Sequence, residues 1–434
     1  MTDRLFTPRF FVMCGFSFTV FLSAFQLLPT APFHILALGG GTAAAGLFLG
    51  FLTYASAFSA PVTGGLVDRI GARRVLVVAG IAITLFSIAY AMIPSYKVML
   101  ALVVVHGLFW SGLLTGSAAY MTNILPESRR AEGIAYWGLS TIAAIAVAPT
   151  IGFWVFQYGW SVLCLEAAAL NAIMALIAWS LPPQEVKAHE PGRPRRLIEW
   201  RVLVLSFTLF LYSFGYGGIT SFTALYADAN GVSPKGIYLT TLALVILVTR
   251  PVSGRFGDRF GYRRVFVPCL ELIAVGVACL VAGGTRFWLI LSALIFGTGF
   301  GTAYPAFAGY VMKQVGPERR GAAFGAILAC FDTGIGTGST SMGWIVGRYG
   351  FASAFGTAAV LSALALPYFL FADRWLRATG RTEGTTATDR TEATATQTPA
   401  TDSTDATDRT RATDGTEATA TQATDRTRKN GSHG

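Results

Sequence analysis

Long apolar runs separated by short polar segments dominate the chain. Two of them, 10–33 and 98–124, contain no Asp, Glu, Lys or Arg. About 20 apolar residues, rising 1.5 Å each in a helix, cross roughly 30 Å of hydrocarbon. The pattern therefore predicts twelve membrane-spanning helices, at 10–33, 46–67, 75–93, 98–124, 133–156, 160–181, 202–227, 236–257, 265–283, 287–311, 321–347 and 351–372.

Composition excludes a water-soluble globular enzyme. Of the 434 residues, 53% are hydrophobic and 13% are charged, whereas soluble proteins carry about 25% charged residues. The sequence contains no metal cluster, no nucleophile–base pair and no phosphate loop that follows a strand. We therefore expect no enzyme activity, no ATP-driven transport and no cofactor.

Basic residues are unevenly divided between the predicted loops. Assigning alternate loops to the two sides puts nineteen Lys and Arg residues on one side and four on the other. The positive-inside rule then predicts that both termini lie in the cytoplasm. The net charge of +10 thus reflects membrane topology and requires no nucleic-acid partner.

Changes in composition predict four regions. Residues 1–182 form an N-terminal six-helix bundle and residues 201–378 a C-terminal one, joined by a polar, proline-containing cytoplasmic linker at 183–200. Residues 379–434 are rich in Thr, Ala and Asp and have almost nothing apolar to bury, so they are predicted to be a disordered cytoplasmic tail.

The two predicted bundles repeat one another. Residues 64–76 and 254–266 match at seven of thirteen positions, including Asp, Arg and Gly residues of a polar loop. A weaker repeat relates 151–160 to 342–351. Each copy falls at the corresponding place in its half, which indicates a parallel duplication of six spans, an architecture found in transporters.

These motifs resemble the major facilitator superfamily. GGLVDRIGARR at 64–74 is similar to its signature between spans two and three, and GRFGDRFGYRR at 254–264 repeats it. LLPTAPF at 27–33 and PESRRAEGIAYWGLS at 126–140 resemble its drug-efflux and sugar-efflux-permease-like branch. The resemblance implies an all-α fold with 12 transmembrane helices in two pseudo-symmetric bundles. It also implies a monomeric secondary transporter of the plasma membrane that works by alternating access.

The signature loops are expected to form a conformational latch. Gly71 and Gly261 provide tight turns, while Asp68 and Asp258 at helix ends can pair with nearby arginines. The alternative is that the arginines only anchor the topology. The predicted latch residues are Asp68, Arg69, Gly71, Arg73, Arg74, Arg250, Asp258, Arg259, Gly261, Arg263 and Arg264.

Few ionisable residues lie within the predicted spans, where each charge costs roughly 2.5–3.5 kcal/mol. Asp332, near mid-depth of span eleven, is the first candidate for proton coupling, and a structural pin is the alternative. His106 is the second candidate. Glu166 and Glu271 lie on spans that the resemblance makes peripheral, and we interpret them as packing or interface residues.

By resemblance, spans one, four, seven and ten line a central cavity. Aromatic and weakly polar walls suit a lipophilic or mixed-polarity compound. An organic-anion site would need an inward-facing Arg or Lys, and none is expected on these spans. The candidate cavity residues are Gln26, Trp110, Tyr120, Tyr212, Tyr216, Tyr304 and Phe307.

The favoured function is efflux of a small organic compound in exchange for protons. Uptake or facilitated diffusion without proton coupling is the alternative, because Val103 stands where efflux members of this branch often carry an arginine. A transport-dead receptor or scaffold is a third hypothesis. The two complete signature loops argue against it.

Overall fold

The computed structural model of the chain describes residues 4–184, 200–315 and 320–395, with side chains except at 131, 251–255, 258, 320–322 and 378–395. Most of the predicted linker, 185–199, and most of the predicted tail, 396–434, therefore lie outside the described residues. The chain divides into two units, Met1–Ala378 and Thr379–Gly434. All side-chain contacts below belong to the first unit.

Within these ranges every regular element is a helix, as the fold prediction requires. A short 3₁₀ helix, Glu127–Arg129, precedes the fifth long helix. The long helices are α1 (Pro8–Ala37), α2 (Thr42–Ile70), α3 (Ala72–Met92), α4 (Tyr96–Ile124), α5 (Arg130–Phe156), α6 (Trp160–Ser180), α7 (Trp200–Ala229), α8 (Ile237–Phe260), α9 (Tyr262–Ala282), α10 (Arg286–Met312) and α11 (Arg320–Ala395).

These helices account for the twelve predicted spans. Ten described helices are long and apolar enough to cross a membrane, and α8 adds the shorter apolar stretch Ile237–Arg250. The last of the ten, Ala323–Arg377, has 55 residues, or about 80 Å of helix at 1.5 Å per residue, far more than one crossing needs. Non-helical dihedrals at Gly350 (φ 82°, ψ 173°) break α11 into two segments, which supply the last two spans.

The two segments of α11 run in opposite directions along α7. The thiol of Cys330 lies 3.9 Å from the carbonyl oxygen of Leu203, near the start of α7. The Tyr368 hydroxyl donates to the carbonyl oxygen of the next residue, Val204, at 2.7 Å. The chain between them reaches the far end of α7, where the rings of Phe355 and Tyr226 are 5.3 Å apart. The chain therefore returns across the membrane after Gly350.

The turns between helices repeat in the two halves. Six described glycines have positive φ, a conformation that costs a residue with a Cβ about 1–2 kcal/mol. They fall into three pairs at corresponding loops: Gly39 and Gly231 (80° and 67°), Gly71 and Gly261 (both 89°), and Gly159 and Gly350 (115° and 82°). The duplicated sequence therefore builds duplicated turns.

Two faces of the helical assembly can be defined from these turns. We call the face with the turns at Gly71 and Gly261 the basic face, because it carries the arginine-rich loops. The opposite face has the turns at Gly159 and Gly350. Within the N-terminal half, α1 packs on α5, α2 on α4 and α3 on α6, and in the C-terminal half α10 packs on α8 and α9.

The halves contact each other near the opposite face. The Thr42 hydroxyl on α2 donates to the carbonyl of Gly343 on α11 at 2.8 Å. The Ser339 hydroxyl on α11 donates to the carbonyl of Gly46 on α2 at 2.7 Å. Donors that reach a backbone carbonyl on the other helix show that α2 and α11 approach closely, as small residues allow.

A second contact between the halves joins α5 to α8 at the same level. The hydroxyl oxygens of Thr150 and Thr240 are 3.0 Å apart. A Cβ added at Gly236 would lie 3.2 Å from Pro149 and 3.3 Å from Phe153. Both contacts thus close the space between the halves toward the opposite face.

The break at Gly350 predicts opposite effects for two neighbouring alanine substitutions. Gly350→Ala should destabilise the protein by about 1–2 kcal/mol, because alanine resists positive φ. Gly356→Ala is the matched control: it lies in helix, and an added Cβ meets nothing within 4 Å. It should stabilise by about 0.5–1 kcal/mol. Thermal unfolding in detergent, followed by tryptophan fluorescence, measures both, and stabilisation by Gly350→Ala would argue for one continuous helix.

Candidate functional site

A cavity of about 1430 Å³ lies between the two halves. On α2, Gly46 contacts α11, whereas Ser56 and Asp68 line the cavity. On α11, Ser339 contacts α2, whereas Asp332 lines the cavity. In the same way, α5 and α8 contact each other at Thr150 and Thr240, while other residues of both helices line the cavity. The cavity therefore extends from the middle of the assembly to the basic face and is closed toward the opposite face.

The helices that form the wall differ from those expected. Spans four and ten contribute, as predicted, but α2, α5, α8 and α11 supply most of the remaining described lining. From α1 only Phe25, and from α7 only Leu203 and Tyr216, are among the described lining residues. α7 is mostly covered by neighbouring helices, which keeps most of its side chains out of the lining.

Aromatic rings form much of the C-terminal side of the cavity. We call Tyr216, Phe300, Tyr304 and Phe331 the aromatic wall. The rings of Tyr216 and Phe300 stack with centroids 4.4 Å apart, and those of Tyr304 and Phe331 meet edge to face at 5.3 Å. The contacts hold these rings in a fixed, mainly apolar surface.

Small and branched aliphatic residues dominate the N-terminal side. The Thr115 hydroxyl there donates to the carbonyl of Ser111 at 2.8 Å. We call this surface the aliphatic wall; its members include Ala57, Ala60, Leu114, Ile142 and Ile145. A compound in the cavity thus meets aliphatic groups on one side and aromatic groups on the other.

The described charges of the cavity are Arg250 and Asp332 on the C-terminal side and Asp68 on α2. Tyr304 interacts electrostatically with both Asp332 and Arg250. Within the described part of the chain, Asp332 makes no hydrogen bond and no ion pair. An acid, a base and a phenol therefore share one region of the wall.

Arg250 adds a basic side chain to the cavity wall from α8, a helix outside the four spans that were expected to line it. It was assigned to the latch, yet it lines the cavity with Ala243 and Ile246 of the same helix. The spacing of seven and four residues puts these three on one face of α8. This periodicity was present in the sequence, but nothing in the sequence shows which face of α8 is turned inward.

Two of the cavity candidates in the C-terminal half lie on the wall and two do not. Tyr216 and Tyr304 line the cavity. Tyr212 and Phe307 are fully buried behind it, where the Phe307 ring packs on Phe266 at 5.2 Å. These two stabilise helix packing instead of contacting the cavity.

The N-terminal candidates also lie outside the described lining. Tyr120 donates to the carbonyl of Pro182 at 3.1 Å, and the Trp110 ring meets Phe21 at 5.7 Å. Gln26 is fully buried and bonds to Glu166 of α6. The Tyr120 hydroxyl and the Gln26 amide nitrogen thus bond to groups in their own half, as expected where an unbonded polar group is costly.

His106 is placed between helices and away from the cavity wall. It is 8% exposed, its Nδ1 lies 3.1 Å from the Tyr90 hydroxyl, and its ring stacks on Phe86 at 5.5 Å. This arrangement is that of a packed, hydrogen-bonded histidine.

Two of the predicted latch arginines contact their own halves. Arg73 donates to the carbonyl of Trp179 at 2.6 Å. The corresponding Arg263 donates to the Asp373 carboxylate at 2.9 Å. They thereby tie the starts of α3 and α9 to the ends of α6 and α11. Asp68 stands in the cavity lining, whereas the side chain of Asp258 lies outside the described residues.

The direction in which the cavity opens can be tested by cysteine labelling. Ala118 lines the cavity and is exposed, whereas Ser339 is fully buried in the contact between α2 and α11. In a background with the five native cysteines replaced by alanine, Ala118→Cys should react with an impermeant maleimide from the basic face only. Ser339→Cys should stay unreactive while this conformation holds. Equal labelling of Ala118→Cys from both faces would contradict the closure.

Comparisons with known proteins agree with this architecture. The sequence profile described as Major Facilitator Superfamily matches residues 10–243 and 205–406. The uncharacterized MFS-type transporter YhhS of Escherichia coli strain K12 is 25% identical over 333 residues, 74% of this chain and 82% of that protein. YhhS of Salmonella paratyphi C is 26% identical over 363 residues, covering 81% and 89%.

Solved structures resemble the fold at lower identity. A mutant of the nucleoside transporter NupG aligns with a TM-score of 0.70 at 17% identity, covering 84% of this chain and all (100%) of that one. A mutant of the peptide transporter POT, in complex with sulfate, aligns with a TM-score of 0.70 at 14% identity, covering 86% and 95%. The human organic anion transporter MFSD10 aligns with a TM-score of 0.63 at 16% identity, covering 84% and 100%.

Proposed function

The chain belongs to the major facilitator superfamily, and from this premise we propose that it exports a small organic compound in exchange for protons. Proteins of this superfamily are membrane transporters and not enzymes, so the coarser statement, a multi-pass transporter of small substrates, holds for this chain. The substrate, the direction and the coupling ion are the proposed part.

We assign the basic face to the cytoplasm and the protein to the plasma membrane. The excess of Lys and Arg in the loops of that face supports this orientation. The cavity is then open to the cytoplasm, which is where an exporter collects its substrate. Rocking of the two halves about the cavity would expose it to the other side.

The proposed substrate is an amphipathic molecule of drug or metabolite size. Its apolar body would lie between the aliphatic and aromatic walls. A polar or charged group would turn toward Arg250, Tyr304 and Asp332. The structurally similar nucleoside, organic anion and peptide transporters show that this fold accommodates substrates of such varied polarity.

Asp332 carries the proposal of proton coupling. Its carboxylate lines the open cavity, and it lies one helical turn from Gly336 and Thr337, where α11 begins to contact Thr53 and Tyr54 of α2. Opening and closing of that contact would change its access to water, and access to water decides whether a carboxyl group gains or loses a proton.

Several titratable groups face Asp332 from neighbouring helices. The groups that line the cavity with Asp332 are Arg250 on α8, Tyr304 on α10, Tyr216 on α7 and, across the cavity, Asp68 on α2; Tyr304 interacts electrostatically with Asp332. Exchange at Asp332 requires that the substrate and the proton exclude each other there. A cationic or dipolar group of the substrate would bind the ionised carboxylate and so compete with the proton.

Arg250 supports a second candidate function, proton-linked uptake. An anionic substrate bound at Arg250 would repel an ionised Asp332 and so favour its protonated form. Proton and substrate would then bind together and cross in the same direction. The position of Arg250 in the cavity lining is the observation that supports proton-linked uptake as the second candidate.

Substitution of Asp332 tests the coupling. Asp332→Asn imitates the protonated acid, so it should abolish gradient-driven accumulation and spare counterflow of substrate. One charge moved through 100 mV is worth about 2.3 kcal/mol, so the accumulation ratio should fall roughly fifty-fold per proton. Both activities are measured in the same vesicles, after a substrate screen with and without a pH gradient.

Glu271→Gln is the matched control, because Glu271 is an acid within a span that is exposed on the outside of the assembly. It should leave both activities unchanged. Survival of uphill transport in Asp332→Asn would remove Asp332 from the coupling. Loss of counterflow together with protein yield would identify Asp332 as a structural pin. Accumulation of substrate on the side toward which protons flow would favour proton-linked uptake over export.

A further inference from the structure

A buried amide and a half-buried acid face each other between α1 and α6, outside the described lining of the cavity. The amide nitrogen of Gln26 donates to Oε1 of Glu166 at 3.2 Å. Gln26 has no exposed surface, and the backbone of α5 covers it, since a Cβ added at Gly152 would lie 2.9 Å from its Cα. From the sequence, Glu166 was expected to be a packing or interface residue.

The second oxygen of each group is unsatisfied. Oε1 of Gln26 and Oε2 of Glu166 are both buried, and neither has a hydrogen-bond partner among the described residues. Both atoms are acceptors when the acid is ionised. Two buried acceptors without a donor are costly, and such groups are rare in folded proteins.

A single proton can satisfy both unpaired oxygens. A proton on Oε2 of Glu166 turns that oxygen into a donor, and the oxygen of Gln26 is the acceptor left over on the facing group. An acid and an amide can then form two parallel hydrogen bonds, N–H to Oε1 and O–H to the amide oxygen. Only the protonated acid can make the second bond.

We propose that Glu166 and Gln26 form a proton-binding site in the N-terminal half, with the proton on Glu166 and two hydrogen bonds joining α6 to α1. The site does not depend on the proposed coupling at Asp332. It holds its proton within the bundle, although the neighbouring residue Phe25 lines the cavity.

The surroundings favour the neutral acid. Apart from Glu166 itself and the basic residues at the helix ends, the titratable groups on α1, α3, α4, α5 and α6 are Cys14, His34, Tyr90, Tyr96, His106, Tyr120, Glu132, Tyr136 and Cys164, none of which is a permanent cation. Tyr90 and His106 already bond to each other.

The permanent charges of these helices lie at their ends. Arg9, Arg73 and Arg130 stand at the basic-face ends of α1, α3 and α5, and Lys97 is exposed at the start of α4. Glu166 lies six residues into α6, or about 9 Å from its start at the opposite face. None of these cations makes an ion pair with Glu166 in the described part of the chain, so an ionised acid would lack a counter-charge there.

Infrared spectroscopy of the full-length protein in liposomes tests the site. The C=O stretch of a protonated carboxylic acid is separate from the bands of a carboxylate. At pH 7 the spectrum should contain such a band, which should be lost in Glu166→Gln and kept in Glu271→Gln. Glu166→Gln retains the shape and both hydrogen bonds as an amide–amide pair, so we expect it to fold.

Gln26→Leu provides the second measurement, because it removes the amide and leaves the acid. The Glu166 band should then shift, or give way to carboxylate bands. Identical spectra for wild type and Glu166→Gln in this region would show that Glu166 is ionised and overturn the proposal. An unshifted band in Gln26→Leu would overturn the acid–amide pair. These outcomes do not involve flux, so they are distinct from a failure of proton-linked transport.

Discussion

The close approach of α2 and α11 near the opposite face is the contact on which the cavity depends. Gly46 lies directly against the backbone of Ser339, and a Cβ there would collide with the Ser339 carbonyl. The bonds across this contact run from hydroxyls to carbonyls, and such bonds are worth about 0.6 kcal/mol each within a membrane. Water can replace them when the contact opens. Close packing and weak polar bonds therefore let α2 and α11 exclude water in this conformation and separate when the opposite face opens.

The duplicated halves share their turns but not their chemistry. Positive-φ glycines recur in pairs because only glycine adopts that turn without strain. At the basic face, Arg73 meets a backbone carbonyl in the N-terminal half, whereas Arg263 meets the buried carboxylate of Asp373, which also accepts from the Tyr310 hydroxyl. The described charges deeper in the cavity likewise belong to the C-terminal side. The duplication is therefore visible in the geometry of the turns, whereas the groups at the two signature loops and deep in the cavity differ between the halves.

Sequence reasoning recovered what depends on local pattern. Span positions follow from hydrophobic length, and the interval between the spans predicted at 321–347 and 351–372 contains the break at Gly350. It could not recover how each helix is rotated, because a helix that is apolar on every side gives little sign of which face points inward. Tyr212 and Tyr216 are one turn apart, yet only Tyr216 reaches the cavity. The pairing of Gln26 with Glu166 joins residues 140 positions apart, and no local pattern encodes it.

The two membrane acids differ most in their access to water. Asp332 lines a cavity that is open at the basic face, whereas Oε2 of Glu166 is buried. In the present conformation we therefore expect Asp332 to exchange protons with that face and Glu166 to hold one. Glu166 lies near the end of α6 that faces the other side. A rocking motion that opens that side and closes the cavity would give Glu166 access to water and remove it from Asp332. Glu166 would stay buried only if α1 and α6 move as one body. Because Gln26 bonds α1 to α6, the proposed acid–amide pair favours movement of the two helices as one body. We then expect Glu166 to keep its proton through the cycle and the proposed change of proton access to occur at Asp332.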